Sequence, residues 1–110
     1  MESNTQPMSI SKKWSHYTKT NVLTEPDNYG VYEIGHIDSG EVLYIGEGHI
    51  QTRLLAHVPD GRRNHETVVG GDGYRYELTG SKDRAMQRER ALLAEFKSRY
   101  GKLPKYNQRH

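Results

Sequence analysis

Glu89 occupies a position where an unpaired carboxylate is expensive. Residues 82–100 read as one long helix, and Ala85, Leu92, Leu93, Phe96 and Tyr100 fall on a single apolar stripe along it. At about 100° per residue Glu89 lies within about 20° of Phe96, in the middle of that stripe, whereas Glu95 is about 100° away. A carboxylate on a core-facing stripe loses several kcal/mol of hydration unless a cation stands beside it. That cation is either an arginine from elsewhere in the chain or a metal ion. The helix alone leaves both open, along with a carboxylate that reaches solvent at a sheet edge.

A shorter helix, about 49–58, presents Ile50, Leu54 and Val58 as its apolar face, with Arg53 and His57 bordering that face four residues apart. A planar guanidinium grips a phosphate or a carboxylate through two parallel hydrogen bonds, which a lysine cannot do. The bland alternatives are a helix-surface cation for Arg53 and a packed histidine for His57.

The elements that carry these residues are short. Pro26-Asp27-Asn28 has turn chemistry. A strand over about 29–37 follows, Asp38-Ser39-Gly40 reverses the chain, and 41–45 returns as a second strand, which predicts an antiparallel hairpin. Glu47-Gly48 reads as a turn into the helix at 49–58. Residues 59–73 read as a loop rich in glycine and charge. Residues 74–79 alternate with period two, as a half-buried third strand does. Ser81 is a candidate N-cap for the long helix, Gly101 ends it, and Pro104 prevents its return. The prediction is an α+β domain with a three-stranded antiparallel sheet flanked by helices over residues 21–110. Residues 1–20 are expected to form a largely mobile arm, with packing beginning at Trp14.

The chain has 110 residues, 33% hydrophobic and 27% charged, which fits one domain with a small core rather than a disordered segment. Eight tyrosines suit surfaces that must be apolar and hydrogen-bonding at once. Net charge is +2, too small to identify a nucleic-acid binder by itself. The local basic groups are more telling: Arg62 and Arg63, the long helix with Lys82, Arg84, Arg88 and Arg90, and the tail with Lys102, Lys105 and Arg109. Absence of cysteine excludes disulfides, thiolate metal sites and thiol nucleophiles. No apolar run is long enough to span a bilayer, and no apolar signal core opens the chain, so a cytoplasmic protein is expected.

Two tripeptides connect these observations. Gly30-Val31-Tyr32 and Tyr44-Ile45-Gly46 lie on the two arms of the hairpin with 11 residues between them. With Arg53, His57, Glu89 and Asn107 in that order, the chain resembles the GIY-YIG nuclease domain over roughly residues 28–108. The second tripeptide is identical to the family motif. Arg53 looks like the family's helix arginine, Glu89 like its metal-binding glutamate, and Asn107 like the asparagine that ties the tail to the core. Two features depart from the pattern. Arg53 lies seven residues after Gly46, one fewer than in many relatives. Acidic Glu47 stands where relatives often carry a small, polar or basic residue, which is expected to lower local phosphate affinity.

The resemblance implies a metal-dependent endonuclease acting on nucleic acid, DNA in the first instance. One divalent cation, Mg2+ or Mn2+, would be held by Glu89, and Arg53 would clamp the scissile phosphate. Tyr32, or next Tyr44, would act as base on a water nucleophile, with His57 accepting or relaying the proton. Gly30, Gly46 and Asn107 would be structural. Arg62, Arg63, Arg84 and Arg88 would follow the nucleic-acid backbone. Specificity would come from a protein partner or a dimer. A non-catalytic nucleic-acid-binding module with the same fold is the alternative, and a purely structural domain with a Glu89–Arg53 ion pair is the third.

Overall fold

A strand that is buried along nearly its whole length needs cover on both faces, and the run Tyr29–Gly35 has it. The computed structural model describes residues 10–58 and 70–108. Along them run β1 (Ser15–His16), α1 (Lys19–Val22), β2 (Tyr29–Gly35), β3 (Val42–His49), α2 (Ile50–His57), β4 (Gly73–Leu78), α3 (Lys82–Tyr100) and a 3-10 turn at Lys105–Asn107. The strands make one antiparallel sheet in the order β1-β4-β2-β3, so β2 is internal and β3 is an edge. The sheet has four strands where the sequence predicts three. The additional strand is two residues long, Ser15 pairing with Tyr74 and His16 with Gly73, and no period-two pattern fits in so short a piece.

Alternation along β2 divides the core. Tyr32 and Ile34 face α1 and α2, joining Tyr17, Val22, Ile50, Leu54 and Tyr74 in one cluster. Val31 faces α3 and packs with Ile10, Ile45 and Leu92. α3 is capped by the Ser81 side chain, which accepts from the Arg84 N–H, and ends at Gly101 in the left-handed conformation (φ 81°). Of its stripe, Ala85 and Leu92 are buried and Leu93 and Phe96 partly so. Tyr100, the last residue of the helix, is 59% exposed and meets only the ring of Phe96 among the aromatic contacts of the described residues.

Two further boundaries differ from expectation. Packing begins before Trp14: Ile10 is only 2% exposed, and β1 lies inside the segment expected to be mobile. The hairpin's second arm does not turn at Glu47-Gly48. β3 continues to His49, with Glu47 paired to Val31, Gly48 to Gly30 and His49 to Tyr29, and α2 starts at the next residue. Residues 1–9, the stretch bearing Arg62, Arg63 and His65, and Arg109 lie outside the described residues. Among the described residues no helix is long and apolar enough to cross a membrane.

Candidate functional site

The strand-to-helix junction at His49 and Ile50 leaves the first turn of α2 with open N–H groups and no side-chain cap from His49. The cap comes from another segment. The Asp27 carboxylate accepts from the Thr52 N–H at 2.8 Å and from the Thr52 hydroxyl at 2.9 Å. The Thr52 backbone bond is the main reason the Asp27 carboxyl is held below the usual carboxylate range. Gln51 donates to the Leu23 and Glu25 carbonyls, and the Glu25 carboxylate accepts from the Tyr74 and Tyr76 hydroxyls at 2.6 and 2.7 Å. Residues 23–28 thus latch α2 against the sheet, and Arg53 stands directly after the capped Thr52.

Asp27→Ala is therefore expected to cost about 1 kcal/mol of stability, as other N-cap deletions do. Because the folded state depresses the Asp27 pKa, its contribution is present above the ordinary carboxylate range and is lost as pH falls through the depressed value. Asp27→Asn can still accept a hydrogen bond but does not titrate. Circular dichroism unfolding curves across acid pH should show the wild-type advantage over Asp27→Asn shrinking with acidification.

On the inner face of α2, His57 is 2% exposed and its Nε2 lies 3.0 Å from the hydroxyl of the fully buried Tyr32. The Tyr44 ring centroid is 5.1 Å from that of His57 and 6.1 Å from that of Tyr32. Gly46 makes room for this group: a Cβ there would lie 2.4 Å from the Tyr32 hydroxyl oxygen and 2.9 Å from Tyr44 Cε2.

Tyr32 and Tyr44 border a cleft of about 650 Å3 beside the edge strand β3, lined also by Glu47, Arg53, Lys82 and Glu89 among others. Tyr32, Tyr44, Arg53 and Glu89, separated by up to 57 positions in the chain, thus border one space. His57 lies behind it, against Tyr32. Burial first, then the negative charge of Glu47, raise the Glu89 carboxyl above its ordinary pKa, with Arg90 opposing. Glu47 itself has a buried Oε1 with no hydrogen-bond partner among the described residues. Sequence reasoning registered Glu47 only as a departure from a motif. Its signal was available: counting by two from the apolar Ile45 puts Glu47 on the face turned to α3.

The remaining predicted residues lie elsewhere. The Asn107 side chain accepts from the Ile45 N–H and donates to the Ile45 carbonyl, each at 2.9 Å, so it covers the free edge of β3. Gly30 lies against β4, where a Cβ would approach the Glu77 carbonyl oxygen to 2.4 Å. Arg88 is engaged with Glu77 through two hydrogen bonds of 2.9 and 3.1 Å that clamp α3 to the sheet. Arg84 borders the same shallow groove as that pair, outside the cleft. A groove of about 720 Å3 at the far end of α3, walled by Glu33, Arg75, Phe96 and Arg99, contains none of the predicted site residues.

The sequence profile of a domain of unknown function (DUF7508) matches residues 8–99. No curated protein matches the sequence. Among solved structures, the chain is similar to the GIY-YIG N-terminal endonuclease domain of UvrC from Thermotoga maritima. An asparagine-to-alanine point mutant of that domain, bound to its catalytic divalent cation, superposes with a TM-score of 0.59 at 22% identity, over 83% of this chain and 94% of that one. The magnesium-bound form gives 0.53 at 22% identity, over 81% and 93%. A tyrosine-to-phenylalanine point mutant gives 0.54 at 23% identity, over 83% and 94%. The fold is GIY-YIG-like.

Proposed function

The chain belongs to the DUF7508 family of domains of unknown function, and from its GIY-YIG-like fold and its cleft we propose a metal-dependent endonuclease that hydrolyses phosphodiester bonds in DNA. The observation that carries this reading is the meeting of Glu89, Arg53, Tyr32 and Tyr44 around one open cleft. A carboxylate whose proton affinity is raised by burial and a like charge beyond what Arg90 offsets, with no ion pair among the described residues, suits a divalent cation. Among the described residues no cluster of three metal-ligating side chains occurs. That fits Mg2+ or Mn2+, which bind through one or two carboxylates and complete their shell with water and phosphate oxygens.

Glu89 would hold the ion. When bound, the ion supplies charge stabilisation at the phosphate and the leaving oxygen. Arg53 clamps the scissile phosphate and meets the charge that develops on its oxygens. Tyr32 takes the proton of the attacking water only if its own proton can leave, and His57 Nε2 at 3.0 Å is the acceptor for it. This needs His57 neutral with Nε2 unprotonated. Tyr44, beside both rings, is the second choice of base. One cleft cuts one strand, so the activity of a single copy is nicking. A double-strand cut requires a dimer or a second event.

The test is cleavage of labelled single-stranded, duplex and branched DNA with Mg2+, Mn2+ or EDTA. Metal-dependent cutting supports the reading. Binding without cutting on every substrate would overturn it in favour of a non-catalytic nucleic-acid-binding module. Arg53→Lys keeps the charge but not the two-pronged geometry. It is expected to slow cleavage on the order of a hundredfold, with a much smaller change in DNA affinity measured by filter binding.

A further inference from the structure

The sheet face turned to α3 carries three carboxylates in two neighbouring cross-strand rows. One row is Arg75, Glu33 and Ile45, and the next is Glu77, Val31 and Glu47. Glu33 accepts from Arg75 Nε at 2.7 Å, and Glu77 is gripped by Arg88. The third is different. Glu47 Oε1 is buried and has no hydrogen-bond partner among the described residues, and Glu47 shares its cleft with Glu89 of α3, a second carboxylate. Two of the three carboxylates are thus answered by guanidinium groups, and the third shares a cleft with another carboxylate.

A buried, unpartnered carboxylate oxygen is costly, and a like charge beside it adds to that cost. Glu47 sits on β3 one residue after Gly46, held by pairing with Val31, so it cannot swing out by a loop movement. Arg53 and Lys82 line the same cleft, yet neither hydrogen-bonds Glu47 Oε1, and a cation there would answer it. Glu47 and Glu89 both line that cleft, and hard oxygen donors select hard cations.

We propose that Glu47 is a second ligand to the divalent cation, so that this chain holds the ion with two carboxylates, Glu47 from the edge strand and Glu89 from α3. The inference rests on the nuclease reading above and deepens it. With two carboxylates the charge of a divalent ion is balanced before the phosphate arrives. The ion should therefore bind the free protein rather than only the complex with DNA. The Glu47 that replaces a small, polar or basic residue of the family pattern then repels phosphate only while the ion is absent.

The test is Mn2+ binding to the full chain without nucleic acid, by titration calorimetry and by the loss of the free-Mn2+ paramagnetic resonance signal. Wild type is expected to bind one ion. Glu47→Gln and Glu89→Gln should each weaken binding about tenfold or more, and Glu47→Asp, with the charge kept at shorter reach, should fall between. Added Mn2+ should raise the melting temperature of wild type and lose most of that effect in Glu47→Gln. Unchanged binding in Glu47→Gln beside weakened binding in Glu89→Gln would overturn the proposal and leave the nuclease reading intact. Loss of cleavage in Glu47→Gln with Mn2+ binding unchanged would also overturn it, in favour of a direct role toward water. Wild type that neither binds Mn2+ nor cuts would overturn both. Should Glu47→Gln fail to fold, Glu47→Asp decides: wild-type affinity in that variant overturns the proposal.

Discussion

Glu89→Gln is expected to abolish metal-dependent cleavage, a loss on the order of a thousandfold, while the protein remains folded. The two halves of this result have one cause. The folded state raises the Glu89 pKa through burial and the charge of Glu47, so ionising Glu89 opposes folding. The sign follows from linkage. Any stability that Glu89 contributes is complete below the ordinary carboxylate range and is lost as pH rises through the raised value. A glutamine at that position never ionises. In EDTA, the melting temperature of wild type should fall relative to that of Glu89→Gln over that window. At neutral pH the variant should be at least as stable as wild type. Adding Mg2+ should raise the wild-type melting temperature and leave that of the variant nearly unmoved. A variant that is markedly less stable in EDTA would mean that Glu89 is half of an internal ion pair, and the structural reading of that carboxylate would prevail.

The sequence exposed Glu89 because a helix has a period and a charge on its apolar side violates it. The same arithmetic was silent about partners. Nothing on the helical wheel distinguishes Arg88, which Glu77 holds at 2.9 Å, from a cation free to meet a phosphate. The wheel also puts Tyr100 on the apolar stripe, although at the helix end it is 59% exposed, since periodicity carries no information about what covers each turn. Long-range capping was equally hidden. Asp27 reads as a turn residue, and its bond to Thr52 is made across 25 positions. Gly46, Glu47 and Gly48 look like a turn by composition. The ladder with β2 overrides that preference and keeps them in a strand, with Gly48 taking a φ of 137°. That override is what aims Glu47 at α3. The two tripeptides fared better as signals because each glycine answers a steric demand: the β4 backbone closes on Gly30, and the rings of Tyr32 and Tyr44 fill the space beside Gly46.

That demand separates two glycine substitutions that look alike on paper. At Gly30 an added Cβ would meet the backbone carbonyl of Glu77 at 2.4 Å and the Cα of Leu78 at 3.1 Å. These are backbone atoms of the paired strand, at the last rung of the β2–β4 ladder, so relieving the clash means parting β2 from β4 there. Gly30→Ala is expected to destabilise by about 3 kcal/mol or more, enough to leave a small domain largely unfolded. At Gly46 the added Cβ would meet the end of the Tyr32 side chain, its hydroxyl oxygen at 2.4 Å and Cζ at 2.5 Å. A ring can tilt where a strand cannot, but Tyr32 is wholly buried and its hydroxyl is committed to His57. Tilting it breaks that bond and moves the ring toward Tyr44. Gly46→Ala should therefore unfold at a lower temperature than wild type but above Gly30→Ala, and its folded form should cut DNA about a hundredfold more slowly. The loss should appear in kcat, with Mn2+ affinity close to wild type, because the added methyl points to the Tyr32 face of β3, whereas Glu47 points to the opposite face and Glu89 is on α3. If Gly46→Ala lost stability as severely as Gly30→Ala, the tyrosine would be part of the rigid frame, and a proton-handling role for the Tyr32–His57 pair would lose its main structural support.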